Sequence, residues 1–131
     1  MDVITKQWVE RAEYDLETAD HLLASGRYLY VAFMCQQTLE KIIKANIAAA
    51  GKTPSYVHHL LRLAEEGGFL DTMEDNHRLL LADLNPYYIK ARYGEYKDKL
   101  ASVCTQEKAK RFFRETKELV KWLKARIKSK R

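Results

Sequence analysis

The fold is decided by residues 5–50, TKQWVERAEYDLETADHLLASGRYLYVAFMCQQTLEKIIKANIAAA. In its first half Val9, Ala12, Leu16, Ala19 and Leu23 recur at steps of three and four. That spacing places them on one face of an amphipathic helix, predicted over 5–24, with Trp8 and Leu22 widening the stripe. Ser25-Gly26 ends it, since glycine accepts the left-handed conformation at a helix C-terminus. A second stripe starts almost at once, with Tyr28, Ala32, Cys35, Leu39, Ile42 and Ile43 predicting a helix over 28–50 that Gly51 stops. So short a connection makes the two helices antiparallel neighbours.

The same pattern continues outward. Lys52-Thr53-Pro54-Ser55 reads as a loop, and 57–66 as a short helix closed by Gly67-Gly68. A fourth helix starts near Asp71, a predicted N-cap, with Met73, His77, Leu80, Leu81 and Leu84 on its face. Asn85-Pro86 should interrupt it, because proline excludes the preceding residue from helical geometry. Gly94 marks a turn. A last helix is expected over 105–128, with Ala109, Phe112, Phe113, Thr116, Val120, Leu123 and Ile127 facing the core. Four long helices and one short one, each with a single apolar stripe, can bury those stripes only against one another. The expected fold is therefore all-α, an antiparallel up-and-down bundle forming one domain over 1–131.

Composition agrees. The chain is 47% apolar and 31% charged, with five Gly and two Pro, which excludes disorder and is too poor in turn formers for a sheet protein. No apolar run approaches a membrane span, and the first residues carry no secretory h-region. Cys35 and Cys104 fit no metal motif, so both are expected as reduced thiols in the cytoplasm. The net charge of +5 is unevenly spread: residues 108–131 carry eleven Lys and Arg against Glu115 and Glu118, a net +9, and the other 107 residues a net −4.

The basic excess is ordered. Lys110, Arg114, Lys117, Lys121, Lys124, Lys128 and Arg131 step by three and four, forming a ridge that suits a polyanion such as RNA. It equally suits a solvated helix end, and Glu10, Glu13, Glu17 and Asp20 offer a matching acidic ridge on the first helix. Chemistry is sparse. Phosphate-binding glycine loops, Cys-x-x-Cys and His-Glu-x-x-His are absent, and Glu74 with His77 is a lone Glu-x-x-His where a di-metal bundle needs two. No metal and no cofactor is expected, and His77 reads as a core histidine. His58-His59 open the third helix, where one caps or packs; His58 has no carboxylate partner identifiable from sequence. In NPYYIKARYGEYK (85–97), Tyr87, Tyr88, Tyr93 and Tyr96 surround Lys90, Arg92 and Lys97. Such a mixture suits a nucleobase above a phosphate, a protein interface, or plain packing, and all three stand open.

Taken in order, Trp8, Ala12-Glu13-x-Asp15-Leu16, Ala19 and Leu22-Leu23, then Tyr28, Ala32-Phe33, Gln37, Glu40-Lys41 and Lys44-Ala45, then His58, Leu60 and Leu63, and finally Ala91-Arg92-Tyr93 resemble the HEPN domain, the helical "higher eukaryotes and prokaryotes nucleotide-binding" module, across nearly the whole chain. The resemblance implies a helical bundle similar to the helical half of kanamycin nucleotidyltransferase. It implies a homodimer, a minimal nucleotidyltransferase partner, and a toxin–antitoxin-like setting. It makes Arg92 the candidate phosphate ligand, with Tyr93 beside it, and Lys41, Lys44 and His58 as further nucleotide-binding candidates. Glu40 and Lys44 also read as an i,i+4 pair. Ribonuclease members carry an Arg followed four to six residues later by His; here Lys97, Asp98 and Lys99 follow Arg92, and no histidine occurs after His77. Lysine normally stays protonated near neutrality and is no substitute for that base. The nucleotidyltransferase signature of Gly-Ser with paired Asp is also missing. The expectation is a binding protein without catalysis of its own, with an RNA-binding or RNA-cleaving toxin and a purely structural subunit as alternatives.

Overall fold

The structure, a computed structural model, describes the backbone of residues 1–88 and 94–129 and the side chains of 1–88 and 97–128. Six α-helices occur among the described residues: α1 (Val3–Ala24), α2 (Tyr28–Ala49), α3 (Leu60–Glu66), α4 (Asp75–Leu84), α5 (Gly94–Val103) and α6 (Gln106–Ser129). The expected all-α bundle is present. Its element boundaries move for local reasons.

The first helix begins at Val3 because Asp2 caps it: Oδ1 accepts from the Thr5 backbone N–H at 2.8 Å. That hydrogen bond holds the Asp2 carboxyl below its usual range. Gly26 adopts φ +77° in the α1–α2 turn, as a glycine stop requires, and Gly51 does the same at φ +82° after α2. The third helix starts at Leu60 rather than near 57, with Nδ1 of His59 accepting from the Arg62 backbone N–H at 3.4 Å. Asp71 lies in a single 3₁₀ turn, Leu70–Thr72, and the fourth helix begins only at Asp75. Asn85-Pro86 closes that helix with another 3₁₀ turn, Asn85–Tyr87. Gly94, expected to mark a turn, instead opens a ten-residue helix.

The predicted stripes meet as expected, with one difference of kind. On α1, Val9, Ala12 and Ala19 are buried while Trp8, Leu16, Leu22 and Leu23 are half-buried. On α6 the buried face is Ala109, Phe112, Thr116, Leu119, Val120, Leu123 and Ile127. Between Leu29 and Ile42 the second helix leaves one face, Tyr30, Phe33, Met34, Gln37 and Lys41, exposed or half-buried. It packs against α1, α3, α4 and α6, and from Ile42 to Ala48 every residue is buried. A helical stretch buried on all sides belongs inside a domain, and α2 is the axis of this one. Its buried polar side chains must then be satisfied internally. Asn46 does so with its amide nitrogen: Nδ2 donates to the Ile42 carbonyl at 3.0 Å and across to the Leu123 carbonyl of α6 at 3.2 Å, while Oδ1 is buried without a hydrogen bond to any described residue.

Both cysteines are free and buried. Burial pushes the Cys35 thiol up to about 12 and raises that of Cys104, so neither is a thiolate near neutrality. Tyr87, one of the aromatic-basic segment, is core: it is buried edge-on to Phe112 at 5.7 Å between centroids. Phe112 is fully buried whereas Phe113 is only partly so. Phe112→Ala is expected to cost about 3–5 kcal/mol in urea denaturation, with Phe113→Ala clearly less. Equal losses would place the core on the wrong side of α6.

Candidate functional site

Two of the polar side chains that α2 buries, Gln36 and Lys44, converge on a third, Glu40. Its carboxylate is 6% exposed. Oε2 accepts from Lys44 Nζ at 3.1 Å, one helical turn on, and lies 2.9 Å from His58 Nδ1. Oε1 accepts from Gln36 Nε2 at 3.3 Å, one turn back. The same Gln36 nitrogen donates to the His58 backbone carbonyl at 3.3 Å. Both acceptors fix the orientation of the Gln36 amide, and its Oε1 is buried without a hydrogen bond to any described residue. Beside this group, Lys41 pairs with Asp15 of α1. Lys44 Nζ also sits 5.6 Å from the centroid of the Trp8 ring, which it shares with Arg11 on α1.

Local structure brings His58 there. The Ser55 backbone N–H and hydroxyl donate to the two carboxylate oxygens of Glu66 at 3.1 and 2.8 Å, folding the 52–59 connection back on α3. Asn85 Oδ1 accepts from the Leu60 backbone N–H at 3.1 Å, tying the start of α3 to the turn after α4. Tyr88, which leaves that turn, lies against the His58 ring with centroids 4.0 Å apart and planes 21° from parallel. His58 thus has a buried carboxylate on one edge and an aromatic ring on one face. Its side chain remains 40% exposed.

These contacts sort the residues singled out from the sequence. His58, Lys44 and Lys41 come together in one seam between α1, α2 and the entry to α3. Lys44 is 5% exposed with its ammonium on Glu40, and Lys41 is engaged by Asp15, so both cations are already neutralised. The i,i+4 reading of Glu40 and Lys44 is the one realised. Arg92 and Tyr93 lie outside the described residues, as does Lys90. Tyr88, four positions before Arg92 in the chain, is the last described residue on that side. Lys97 sits over Tyr30 of α2, 5.2 Å from the ring centroid.

The partners of His58 were not legible in advance. Glu40 and Gln36 are separated from it by 18 and 22 positions. One signal did exist: from Ile42 to Ala50 only Lys44 and Asn46 are polar, so α2 had to be internal and its charges paired. His77, expected as a satisfied core histidine, lies at the edge of the core: it is half-buried, with its ring 5.5 Å from Trp122 and Nε2 4.0 Å from Glu74. Its Nδ1 is buried without a hydrogen bond to any described residue. Among the described residues no cluster of His, Cys, Asp and Glu could hold a metal, and no helix is long and apolar enough to cross a membrane.

The basic ridge lies on α6, beside α1. Lys124 meets Glu13 of the acidic ridge at 2.9 Å, so the two ridges touch at one point. Arg114 is 3.9 Å from Glu115, and Lys117 sits 5.3 Å from the Phe113 ring centroid. Lys110, Lys121 and Lys128 are exposed and make no ion pair with described residues. Arg131 lies outside the described residues.

An all-helical bundle with a buried acid–base seam along its central helix is the class this geometry defines. A model of the HEPN domain family matches residues 5–127, and the chain belongs to that family. Among solved structures it is similar to TT1696 from Thermus thermophilus, at 25% identity over 97% of this chain and 98% of that one, with a TM-score of 0.72. It shares the fold of ST0689, an archaeal HEPN homologue, at 23% identity over 97% of this chain and 99% of that one, with a TM-score of 0.75. No curated protein matches it.

The seam separates two kinds of lysine. Lys44→Ala strips a buried carboxylate of its cation and is expected to cost about 3–5 kcal/mol of stability. Lys41→Ala also unpairs a buried carboxylate, Asp15, but Lys41 itself is a quarter exposed and water can reach the gap, so its loss should be smaller. Chemical denaturation of the two variants checks this, and a smaller loss for Lys44→Ala would contradict the burial of its charge.

Proposed function

We propose that this HEPN protein binds a nucleotide beside the middle of α2, where Tyr88 stacks on His58, and does so in the cytoplasm without catalysing a reaction of its own. The observation that carries the reading is the carboxylate-held His58 ring lying on Tyr88, four positions ahead of Arg92 in the chain. Among the described residues it combines an aromatic ring, a partly exposed polar side chain and the root of the segment that bears Arg92 and Tyr93. Arg92 takes the phosphate and Tyr93 stacks or packs beside it. Lys41 and Lys44 drop out as direct phosphate ligands because Asp15 and Glu40 already hold them. The ribonuclease motif of active relatives lacks its His here, which favours binding over cleavage.

The protein acts, in this reading, as a homodimer with a minimal nucleotidyltransferase partner in a toxin–antitoxin-like module. RNA binding on the α6 ridge is the second reading. It is favoured by Lys110, Lys121 and Lys128, exposed and without an ion pair to described residues, and weakened by Glu13, which reaches the ridge at Lys124.

Titration calorimetry with the four ribonucleoside triphosphates tests the first reading. Heat of binding is expected with at least one of them, and Arg92→Ala should reduce affinity at least tenfold, as for a lost charged hydrogen bond of about 1.5–3 kcal/mol. No heat at millimolar nucleotide would reject it. Affinity instead for RNA, falling steeply with salt and lost on neutralising Lys117 and Lys121, would transfer the function to the ridge.

A further inference from the structure

His58 is fixed more firmly than a half-exposed loop residue needs to be. Glu40 Oε2 meets Nδ1 at 2.9 Å, Gln36 holds the residue's backbone carbonyl at 3.3 Å, and Tyr88 covers one ring face at 4.0 Å. Glu40 and Gln36 are buried and are themselves joined at 3.3 Å, so neither can turn away without leaving a buried polar group unpaired. A carboxylate is an acceptor only, so the proton of a neutral His58 ring sits on Nδ1. The lone pair of that ring is then on Nε2. Nε2 makes no hydrogen bond to any described residue, while the side chain is 40% exposed.

We infer that Nε2 of His58 is a preset hydrogen-bond acceptor for the nucleoside part of the ligand, and that Glu40 is the positioning residue that presets it. The inference rests on the nucleotide reading above. An ionised phosphate oxygen has no proton to give, so it cannot be the partner of a neutral Nε2. The matching chemistry is a neutral donor, either a ribose hydroxyl or a base amino group. Lys44 matters here only through Glu40, whose charge it offsets at 3.1 Å.

The experiment is calorimetry on the full chain with the four ribonucleoside triphosphates, their 2′-deoxy and 3′-deoxy counterparts, and ITP and UTP as partners lacking the amino groups of ATP, GTP and CTP. One analogue is expected to lose about tenfold in affinity, the worth of about one neutral hydrogen bond. Loss with a deoxy sugar assigns the hydroxyl, and loss with a des-amino base assigns the amino group. His58→Ala should bring the same loss for the parent nucleotide and no further loss for that analogue. Imidazole ¹⁵N shifts of the nucleotide-free protein should show the proton on Nδ1 in the neutral ring, and Glu40→Gln should shift the population toward Nε2–H. Uniform binding of all analogues, or an Nε2–H ring in the wild type, would overturn the inference. Binding that depends on Arg92 but is indifferent to His58→Ala would overturn it while leaving the nucleotide reading intact. No binding of any nucleotide would overturn both.

Discussion

The structure depends on one buried ion pair, Glu40 with Lys44, on the helix at the axis of the bundle. Taking two charges out of water costs several kcal/mol each, and their mutual attraction repays that only when the remaining hydrogen-bonding capacity is also used. Glu40 meets the condition by accepting from Lys44 and Gln36 and by facing His58 Nδ1. The demand propagates outward. Gln36 ties down the His58 backbone, the connection before α3 must run past α2, and Asn85 and Glu66 hold that connection in place. A central helix with charges therefore dictates the path of a loop 18 positions away.

The same constraint separates charge that builds the protein from charge left over for partners. The cations of α2 are bound internally, by Glu40 and Asp15. On α6 they remain mostly outside, with Glu13 meeting the ridge at Lys124. The net +5 is thus the sum of a body whose central lysines are already neutralised and a final helix whose lysines largely are not. Charge at the surface governs encounter and solubility, whereas charge inside α2 governs which conformation is allowed.

Much of the bundle was legible because helical spacing is a local property. The stripes of α1 and α6 and the stops at Gly26 and Gly51 follow from neighbours within one or two turns, and they came out as expected. What failed locally was cap chemistry. Asp2 and His59 capped where the apolar pattern pointed to later or earlier starts, and Gly94 opened a helix although glycine is a common stop. The candidate site was legible only in its parts. His58, Lys41 and Lys44 could be named from the family resemblance, but their roles depend on Glu40, Gln36 and Asp15 reached through tertiary packing. Lys44 illustrates the limit: a lysine in a helical stretch reads as exposed until the whole of 42–48 is seen to be buried. Arg92 and Tyr93 lie outside the described residues, so their part rests on sequence.

A double-mutant cycle on Glu40→Gln and Lys44→Met, followed by urea denaturation, tests the central claim most directly. A buried, mutually dependent pair predicts that the double variant loses far less than the two single losses combined, with a coupling of about 2–3 kcal/mol. Additive losses, within about 0.5 kcal/mol, would show that the two charges do not depend on one another and would contradict the account.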